Sequence, residues 1–492
     1  MFFAEPDALP EAVRYAAVAG VVREPGAPDQ PPATPPLPAD RVTVAFAGDG
    51  AGTGELTWGQ RMVWLSMLRW GWLNIGAPLP QPSDRTVQDV ADELRYMMSR
   101  FPSLRTRLRF DADGRPSQEL FADGEITFEV YDADGDADPQ KTAQAVYERY
   151  VTTARDFVRE WPLRVAVVRR EGAVTHLVIV ACHLVADGVG TAVLFEETAE
   201  RVTEPPRGME QLELVRWQDS PAGRRQAAAG LRHIEAELRS VPPRPMPRSA
   251  DRSERRHWAG TLTTVALYPA MQAIGRRTRA DSSTVLLTLY AVALGRRGLL
   301  NPAVLRPLVN NRFRPGLRKV VSHVMQAGVC VLDVAGATVD EAVIRARGPV
   351  RLAYKHAYYD PEEELALIDR LARERPGAAR WDGDAWTYVN DRRGETSRSA
   401  AATPSDASAA DAIPQLLART EFRLTEWRDK PIEPLYLSID DAADGIVFTV
   451  RGDSWYVTPA DGEALLRDLE SLAVAAASDP AVPTAVAVHN GQ

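Results

Sequence analysis

The chain has 492 residues and a net charge of −9, from 58 basic and 67 acidic side chains. At about 150 residues per domain, this length predicts two or three domains, or two large ones. With 45% hydrophobic residues, 25% charged residues and two cysteines, the composition excludes a wholly disordered chain, a collagen and a disulfide scaffold, and the mild acidity argues against a general nucleic-acid binder.

The N-terminal residues do not have the pattern of a secretory signal, because Glu5 and Asp7 stand where such a signal carries basic residues. Residues 1–41 are predicted to form an extension, helical at first and then rich in proline. The longest apolar runs, 177–186 and 285–294, are shorter than the roughly 20 residues that span a bilayer. We therefore expect a cytoplasmic protein with no membrane partner.

Strand and helix patterns alternate over residues 42–240, which are predicted to form a first subdomain. The first helical pattern is indicated by apolar residues at helical spacing, Trp58, Met62 and Leu65. The predicted elements are helices at 56–68, from 84 or 86 to about 101, at 142–158 and at 214–240, and strands at 42–46, 104–110, 116–121, 163–168 and 175–181. The last two strands flank a short turn and predict a hairpin.

A stretch rich in proline and arginine at 241–257 lacks apolar periodicity, and we predict it to be the linker between two subdomains. Its arginines, like Arg392 and Arg393, are interpreted as solvated surface, with contact to an acidic carrier protein or a phosphate as the alternative. Residues 258–492 are predicted to form the second subdomain. Its predicted elements are strands at 260–268 and 303–309, helices at 269–277, 283–294 and 459–475, and a long loop at 397–412.

One short motif carries chemistry: His183 is followed by Asp187 and Gly188 where a predicted strand turns into a helix. An imidazole at the end of a rigid strand is placed as a general base requires. Gly188 permits a sharp turn or a positive φ, and Asp187 can cap the helix or pair with a base. The alternative is a buried histidine bonded to a carbonyl, with Asp187 acting only as a helix cap. The residues alone leave both interpretations open.

Four stretches in chain order resemble one known family. They are LTWGQRMVWL (56–65), FPSLRTRLRF (101–110), CHLVADG (182–188) and VNNRFRPGLRKVVSHVMQAGVCVLDV (309–334), with weaker matches in KHAYYDP (355–361) and YVND (388–391). They are similar to motifs of the condensation domains of nonribosomal peptide synthesis, which are chloramphenicol-acetyltransferase-like acyltransferases. The resemblance covers about residues 42–475. It implies an α/β (α+β) fold of two such subdomains that form a V, with the active site in the cleft between them.

The chain departs from the family pattern at two positions. Cys182 replaces the first histidine of the family's H-H-x-x-x-D-G motif, and the second histidine is kept as His183. Ser322 stands where the family usually has glycine. Cys182 alternates with His183 along the predicted strand, so core packing is favoured for its thiol over a nucleophilic role.

The resemblance implies a role for His183, which would deprotonate or orient the acceptor that attacks an acyl thioester. The backbone N–H of Gly188 is a candidate donor to the oxyanion, because such donors stabilise a tetrahedral intermediate. These two residues and Asp187 form the candidate catalytic set. Arg312 is the matching arginine for a bidentate salt bridge to Asp187, with a surface arginine as the alternative.

Cys182, Trp386 and Asn390 are candidate pocket residues, with core or loop packing as the alternative for each. The other histidines share no metal-ligand spacing with a carboxylate, and neither a phosphate-binding loop nor a G-x-S-x-G elbow occurs. We therefore expect no metal and no bound cofactor. The phosphopantetheine arm would be presented by a partner.

The resemblance leads to a first hypothesis: a free-standing, monomeric acyltransferase for natural-product biosynthesis. It would move an acyl or aminoacyl group from the phosphopantetheine thioester of a carrier protein, acting in trans, to an amine or alcohol that is free or carrier-bound. Two alternatives stay open. One is a catalytically silent module of the same fold that docks carrier proteins. The other is a transferase that uses acyl-CoA.

Overall fold

A computed structural model describes residues 21–22, 37–70, 73–205, 208–374, 381, 383–394, 413–428, 433–443 and 445–488. The predicted helical start of the N-terminal extension and most of its proline-rich part, the predicted loop at 397–412, and His489 lie outside these residues. The chain divides into two compact units. The first contains Ala4–Arg225 and Asn310–Met325, and the second contains Gln226–Val309 and Gln326–Gln492.

The first unit is built on a five-stranded sheet of order β2-β7-β9-β10-β4, in which only the β7–β9 pair is parallel. A three-stranded sheet, β3-β6-β5, and the small pair β1-β8 complete its strands. The strands are β1 (Val21–Val22), β2 (Asp40–Ala47), β3 (Gly52–Glu55), β4 (Asn74–Pro80), β5 (Thr106–Phe110), β6 (Pro116–Leu120), β7 (Asp123–Asp132), β8 (Arg155–Asp156), β9 (Leu163–Arg170) and β10 (Ala173–Cys182). The helices are α1 (Trp58–Trp70), α2 (Val87–Arg100), α3 (Pro139–Thr152), α4 (Gly188–Glu200), α5 (Gln211–Asp219) and the start of α6 (Pro221–Ser240).

The predicted hairpin is confirmed, and its turn explains why it forms. Glu171 and Gly172 connect β9 to β10, and both have positive φ angles, 51° and 84°. Two consecutive left-handed residues match the right-handed twist of paired strands, which is the usual solution for a two-residue hairpin loop. The hairpin delivers the chain to the motif, because β10 ends at Cys182.

Two helices differ from their predicted bounds: one ends earlier than predicted, and the other is interrupted. Helix α3 ends at Thr152, not at 158, because Arg155 and Asp156 pair with β1. The helical stretch 214–240 is two helices, since Ser220 takes an extended ψ of 161° before Pro221. A residue that precedes proline disfavours the helical conformation, so the break follows from local sterics.

The second unit has one sheet of eight strands, ordered β13-β12-β15-β17-β18-β11-β16, with β14 paired to β12. Its strands are β11 (His257–Thr264), β12 (Ala303–Val309), β13 (Gln326–Ala327), β14 (Cys330–Leu332), β15 (Thr387–Asp391), β16 (Glu421–Arg428), β17 (Leu435–Ala442) and β18 (Gly445–Asp453). Its helices are the rest of α6, α7 (Leu267–Thr278), α8 (Ser282–Arg296), α9 (Val339–His356), α10 (Pro361–Glu374), α11 (Ile413–Leu416) and α12 (Pro459–Ser478). Short 3-10 helices lie at Pro102–Arg105, Gly383–Ala385 and Leu417–Arg419.

The apolar run 285–294 is the buried centre of α8, as its lack of charged residues predicts. Among the described residues, no helix is both long and apolar enough to cross a membrane.

The compact units differ from the predicted subdomains, 42–240 and 258–492, in two places. The division falls within α6, between Gln226 and the preceding arginine, and residues 310–325 belong to the first unit. The predicted linker 241–257 is part of the second unit and packs within it: Met246 is buried, and the Arg256 guanidinium lies 3.8 Å from the ring centre of Trp455. The interpretation of this arginine cluster as solvated surface is therefore wrong for Arg256, because aromatic faces attract guanidinium groups. It is also wrong for Arg393, whose fully buried side chain pairs with Asp391 at 2.8 Å.

Candidate functional site

The motif occupies the connection from β10 to α4 in the first unit. Its start is fixed by two backbone bonds, since the N–H of His183 donates to the Leu73 carbonyl at 2.9 Å and the N–H of Val185 donates to the Cys182 carbonyl at 3.0 Å. Its end is fixed by the cap of α4, where the Asp187 side chain accepts from the N–H of Gly190 at 2.9 Å. The loop between strand and helix is therefore tied at both ends.

The His183 imidazole is half-buried, and one of its nitrogens is already engaged. Nδ1 lies 2.8 Å from the carbonyl oxygen of Ala186. Because a carbonyl only accepts hydrogen bonds, the neutral ring carries its proton on Nδ1 and leaves the Nε2 lone pair available. The arrangement is that of a group able to accept a proton at Nε2.

Asp187 is fully buried, and its oxygens face protein donors. One oxygen accepts from Gly190, and the other accepts from Arg312 Nη1 at 2.8 Å and from the N–H groups of Val324 at 3.0 Å and Met325 at 3.2 Å. Burial raises the pKa of Asp187, but the charge of Arg312 and these hydrogen bonds outweigh it, so the pKa lies below its ordinary value. The carboxylate thus joins α4 to the 310–325 segment, which is a positioning role.

Arg312 meets Asp187 through one nitrogen only. Its Nη2 donates to the carbonyl oxygens of Val320 at 3.0 Å and Ser322 at 3.4 Å, and Nη1 also lies 3.3 Å from the Asn310 carbonyl. The predicted salt bridge between Asp187 and Arg312 is confirmed. Its predicted bidentate geometry is wrong, since the backbone of the same segment occupies the second arm of the guanidinium. The alternative of a surface arginine is also wrong, because only 6% of its side chain is exposed.

The glycine that the site requires is Gly190, which the sequence analysis did not single out. A Cβ atom there would stand 2.9 Å from Arg312 Nη2 and 3.2 Å from the Cβ of Ala186. Gly188, by contrast, is exposed, has no positive φ, and would place a Cβ in open space. The spacing of two glycines after Asp187 was the available signal for this close approach. The oxyanion role of Gly188 stays a prediction.

A second histidine, His323, lies against the first and was missed by the sequence analysis. The two rings are 5.0 Å apart between centres and meet edge to face at 75°. His323 is fully buried, and neither ring nitrogen has a hydrogen-bond partner of normal geometry among the described residues. Burial, and after it the neighbouring His183, lowers the pKa of His323 to about 3. Its sequence signal was weak: one histidine between Ser322 and Val324 in a largely apolar stretch.

The buried His323 should make the protein sensitive to acid. Its folded-state pKa of about 3 lies below the ordinary value of 6.5, so between these pH values the unfolded chain binds a proton that the folded chain does not bind. The free energy of unfolding is therefore unaffected by this group above pH 6.5, and it decreases as the pH falls toward 3. His323→Phe removes the titrating group. The free energy of unfolding of this variant, relative to that of the wild type, should therefore rise by about 2 kcal/mol when the pH is lowered from 7.5 to 5. Urea unfolding of both proteins at the two pH values measures the difference, and a difference that does not change with pH would contradict the prediction.

Two of the three candidate pocket residues lie in the interior of their own unit. Cys182 is fully buried beside Met67, at 3.9 Å between sulfurs, and burial raises the pKa of its thiol to about 11. Trp386 and Asn390 belong to the second unit. Trp386 is fully buried and stacks on Trp381 at 6.0 Å. Cys182 and Trp386 are thus core residues, and a role for Asn390 in a pocket stays a prediction.

The sequence comparison decides the family. The model of the condensation-domain family matches residues 84–375, which is more than half of the chain and includes His183, Asp187 and Arg312. The chain belongs to the condensation-domain family. A comparison with curated proteins found no match.

Solved structures of condensation domains share this fold. The condensation domain of the monacolin K polyketide synthase MokA superposes with a TM-score of 0.67 at 18% identity, covering 89% of this chain and 100% of that one. The condensation domain described for chain release from the enacyloxin polyketide synthase gives 0.59 at 18%, covering 100% and 93%. An X-domain from teicoplanin biosynthesis, in complex with OxyB, gives 0.65 at 16%, covering 95% and 100%. The prediction of an α/β fold of the chloramphenicol-acetyltransferase type is thus confirmed.

No group of three or more histidine, cysteine or carboxylate side chains that could hold a metal ion occurs within the described ranges. What the site offers is an imidazole with a free acceptor nitrogen, held by a buried ion pair. These are the parts of a general base and its support.

Proposed function

We propose that this condensation-family chain is an acyltransferase. It takes an acyl or aminoacyl group from the phosphopantetheine thioester of a carrier protein and passes it to an amine or an alcohol. The observation that carries the proposal is the state of His183, whose Nδ1 is engaged by Ala186 at 2.8 Å so that Nε2 faces the reaction as an acceptor. The family membership supports the class of reaction.

The imidazole of His183 alone can carry out both proton transfers of the reaction. Nε2 of His183 takes the proton of the acceptor N–H or O–H as the nitrogen or oxygen attacks the thioester carbonyl carbon. The new C–N or C–O bond forms, the tetrahedral intermediate collapses, and the C–S bond breaks. The imidazolium returns the proton to the departing thiolate, which leaves as the free thiol of the phosphopantetheine arm. The backbone N–H of Gly188 is the proposed donor to the oxyanion.

The remaining residues position this base and do not touch the reacting atoms. Asp187 caps α4 and accepts from Arg312, so the loop that carries His183 cannot shift without breaking a buried ion pair. Rigid support of the His183 loop matters, because general-base catalysis depends on a hydrogen bond of about 3 Å between the base and the acceptor in the reacting complex.

A mass-spectrometric transfer assay tests the proposal. A panel of acyl and aminoacyl groups is offered as carrier thioesters and, separately, as CoA thioesters, together with pooled amines and alcohols. Products that form from the carrier thioesters support the proposal. Products that form only from CoA thioesters would replace it by the acyl-CoA transferase. The mass of the product separates an amide from an ester.

A second candidate is a docking module without turnover. Two observations favour it: Cys182 and Ser322 depart from the family pattern, and one structural neighbour was solved as an X-domain in complex with OxyB. This candidate expects binding of a loaded carrier, measured by calorimetry, without any transfer product in the same mixture. A monomeric state and a cytoplasmic location are further expectations of the first proposal, and gel filtration tests the former.

A further inference from the structure

We propose that His323 is a positioning residue that fixes the ring plane of His183. This inference rests on the proposed function, because it assigns His323 to the orientation of the same base. The observation that carries it is the edge-to-face contact of the two rings, 5.0 Å between centres at 75°. His323 does not touch the reacting atoms in this assignment.

The backbone on both sides of His323 is held by the ion pair of the motif. The carbonyl of Ser322, just before it, accepts from Arg312 Nη2 at 3.4 Å, and the N–H of Val324, just after it, donates to Asp187 at 3.0 Å. His323 is therefore fastened by the same two side chains that fasten the His183 loop. The main chain at His323 cannot move away from His183 unless one of these bonds breaks.

Helix α1 closes the third side of His323. Gly59 lies in the first turn of this helix, and a Cβ atom built there would stand 1.9 Å from the His323 carbonyl oxygen and 3.2 Å from its Cδ2. No side chain fits in this space. The helix thus approaches His323 at backbone distance, and it does so only because residue 59 is glycine.

The bond from Nδ1 of His183 to the Ala186 carbonyl fixes one edge of the ring but leaves it free to tilt about that edge. A perpendicular ring packed against it removes this freedom. Edge-to-face pairs of this kind bias an orientation by about two- to tenfold. The proposed effect is therefore on the fraction of molecules whose Nε2 points at the acceptor.

The charge state of His323 suits this place. The titratable groups that face it are His183, Asp187 and Arg312. Because burial keeps His323 neutral in the ordinary pH range, it adds no second positive charge when His183 takes up a proton. Its ring acts by shape, so another aromatic ring should replace it.

The test compares His323→Phe, which keeps a ring, with His323→Leu, which keeps an apolar side chain without one. We expect the Phe variant to retain kcat within about twofold and the Leu variant to lose about two- to tenfold in kcat with KM unchanged. His176→Leu is the matched control, since His176 lies on β10 of the same unit and is half-buried. A Phe variant as impaired as the Leu variant, or a Leu variant equal to the wild type, would overturn the proposal.

A second measurement does not need turnover. Nitrogen-15 NMR reports the tautomer of His183 and the order of its ring, and a role limited to stability would leave both unchanged. We expect the Nδ1–H signal of His183 to stay sharp in His323→Phe and to broaden in His323→Leu. Should the wild type transfer no acyl group, the proposed function fails, while this comparison still decides the role of His323.

Gly59→Ala displaces His323 without altering its chemistry. Glycine to alanine within a helix normally stabilises it, but here the added methyl must push the His323 backbone away. We expect this variant to broaden the His183 signal as His323→Leu does, and it serves in place of the Leu variant if that protein does not fold. An unchanged His183 signal in Gly59→Ala would overturn the proposal.

Discussion

Replacing His183 with alanine is expected to lower the rate of acyl transfer by about 10²- to 10⁴-fold. The substitution removes the Nε2 that takes the acceptor proton, and the acceptor must then lose its proton to water. The fold should persist, because the imidazole is half-buried and its one hydrogen bond is to the carbonyl of Ala186. Initial rates of product formation, measured by mass spectrometry under saturating donor, give the ratio.

The control for this variant is His176→Ala in β10 of the same unit. Its side chain is half-buried and bonds to the neighbouring Thr175, so its loss should leave the rate within about twofold of the wild type. A His183→Ala protein that unfolds like the wild type and transfers at the wild-type rate would show that this imidazole is not the base. The alternative of a buried structural histidine would then be correct.

Replacing Arg312 with methionine is expected to lower the free energy of unfolding by about 3–5 kcal/mol. The change leaves the Asp187 carboxylate buried without its cation, and it also removes the donors to the Val320 and Ser322 carbonyls. The backbone N–H groups of Gly190, Val324 and Met325 still bond the carboxylate, so the loss should fall near the lower end of this range. Urea unfolding at pH 7.5 measures it.

Three further proteins, Asp187→Ala, Asp187→Ala/Arg312→Met and Arg95→Met, separate the effect of an unpaired buried charge from a general loss of packing. In Asp187→Ala/Arg312→Met both charges are gone, and the double variant should lose less stability than the sum of the two single variants. Arg95→Met breaks a surface ion pair between Arg95 and Asp92, in which both side chains are about half exposed. This variant should lose less than about 1 kcal/mol of unfolding free energy. Equal losses for Arg95→Met and Arg312→Met would contradict the role given to the buried pair.

The local backbone structure around the site could be predicted from the sequence, because it is determined by residues that are close together along the chain. The hairpin followed from two apolar stretches on either side of a short turn, which the structure places at Glu171 and Gly172. The strand-to-helix turn followed from the periodicity change after Cys182. Helix caps such as Thr86, which accepts from the N–H of Asp89, lie within three residues of their partners. Local sterics and short hydrogen bonds can be inferred from the order of residues alone.

The long-range parts of the site required the fold. Arg312 was indicated by the family resemblance, but its single-nitrogen contact with Asp187 depends on the carbonyls of Val320 and Ser322, whose directions no pattern predicts. His323 lies 140 positions from His183, and nothing in the composition of its neighbourhood distinguishes it from a core residue. Gly190 looked like any glycine near a helix start until the guanidinium was located beside it.

The linker illustrates an error of a different kind. Proline and arginine between 241 and 257 are typical of exposed connections, and the partners that bury part of this stretch are distant in sequence. Arg256 lies over Trp455 and 3.1 Å from Asp453, about 200 residues further along the chain. Composition alone predicts the solvation of a segment only when no aromatic face or carboxylate is folded against it.

A single-turnover measurement tests the role of His183 and the acyl transfer together. A carrier protein loaded with one acyl group is mixed with excess protein and acceptor, and the intact mass of the carrier is followed with time. With wild-type protein, we predict that the carrier loses its acyl mass as the acceptor gains it, and that His183→Ala slows this loss by at least about 100-fold. A loaded carrier that binds the wild-type protein but keeps its acyl group with every donor and acceptor offered would contradict acyl transfer and favour the docking module.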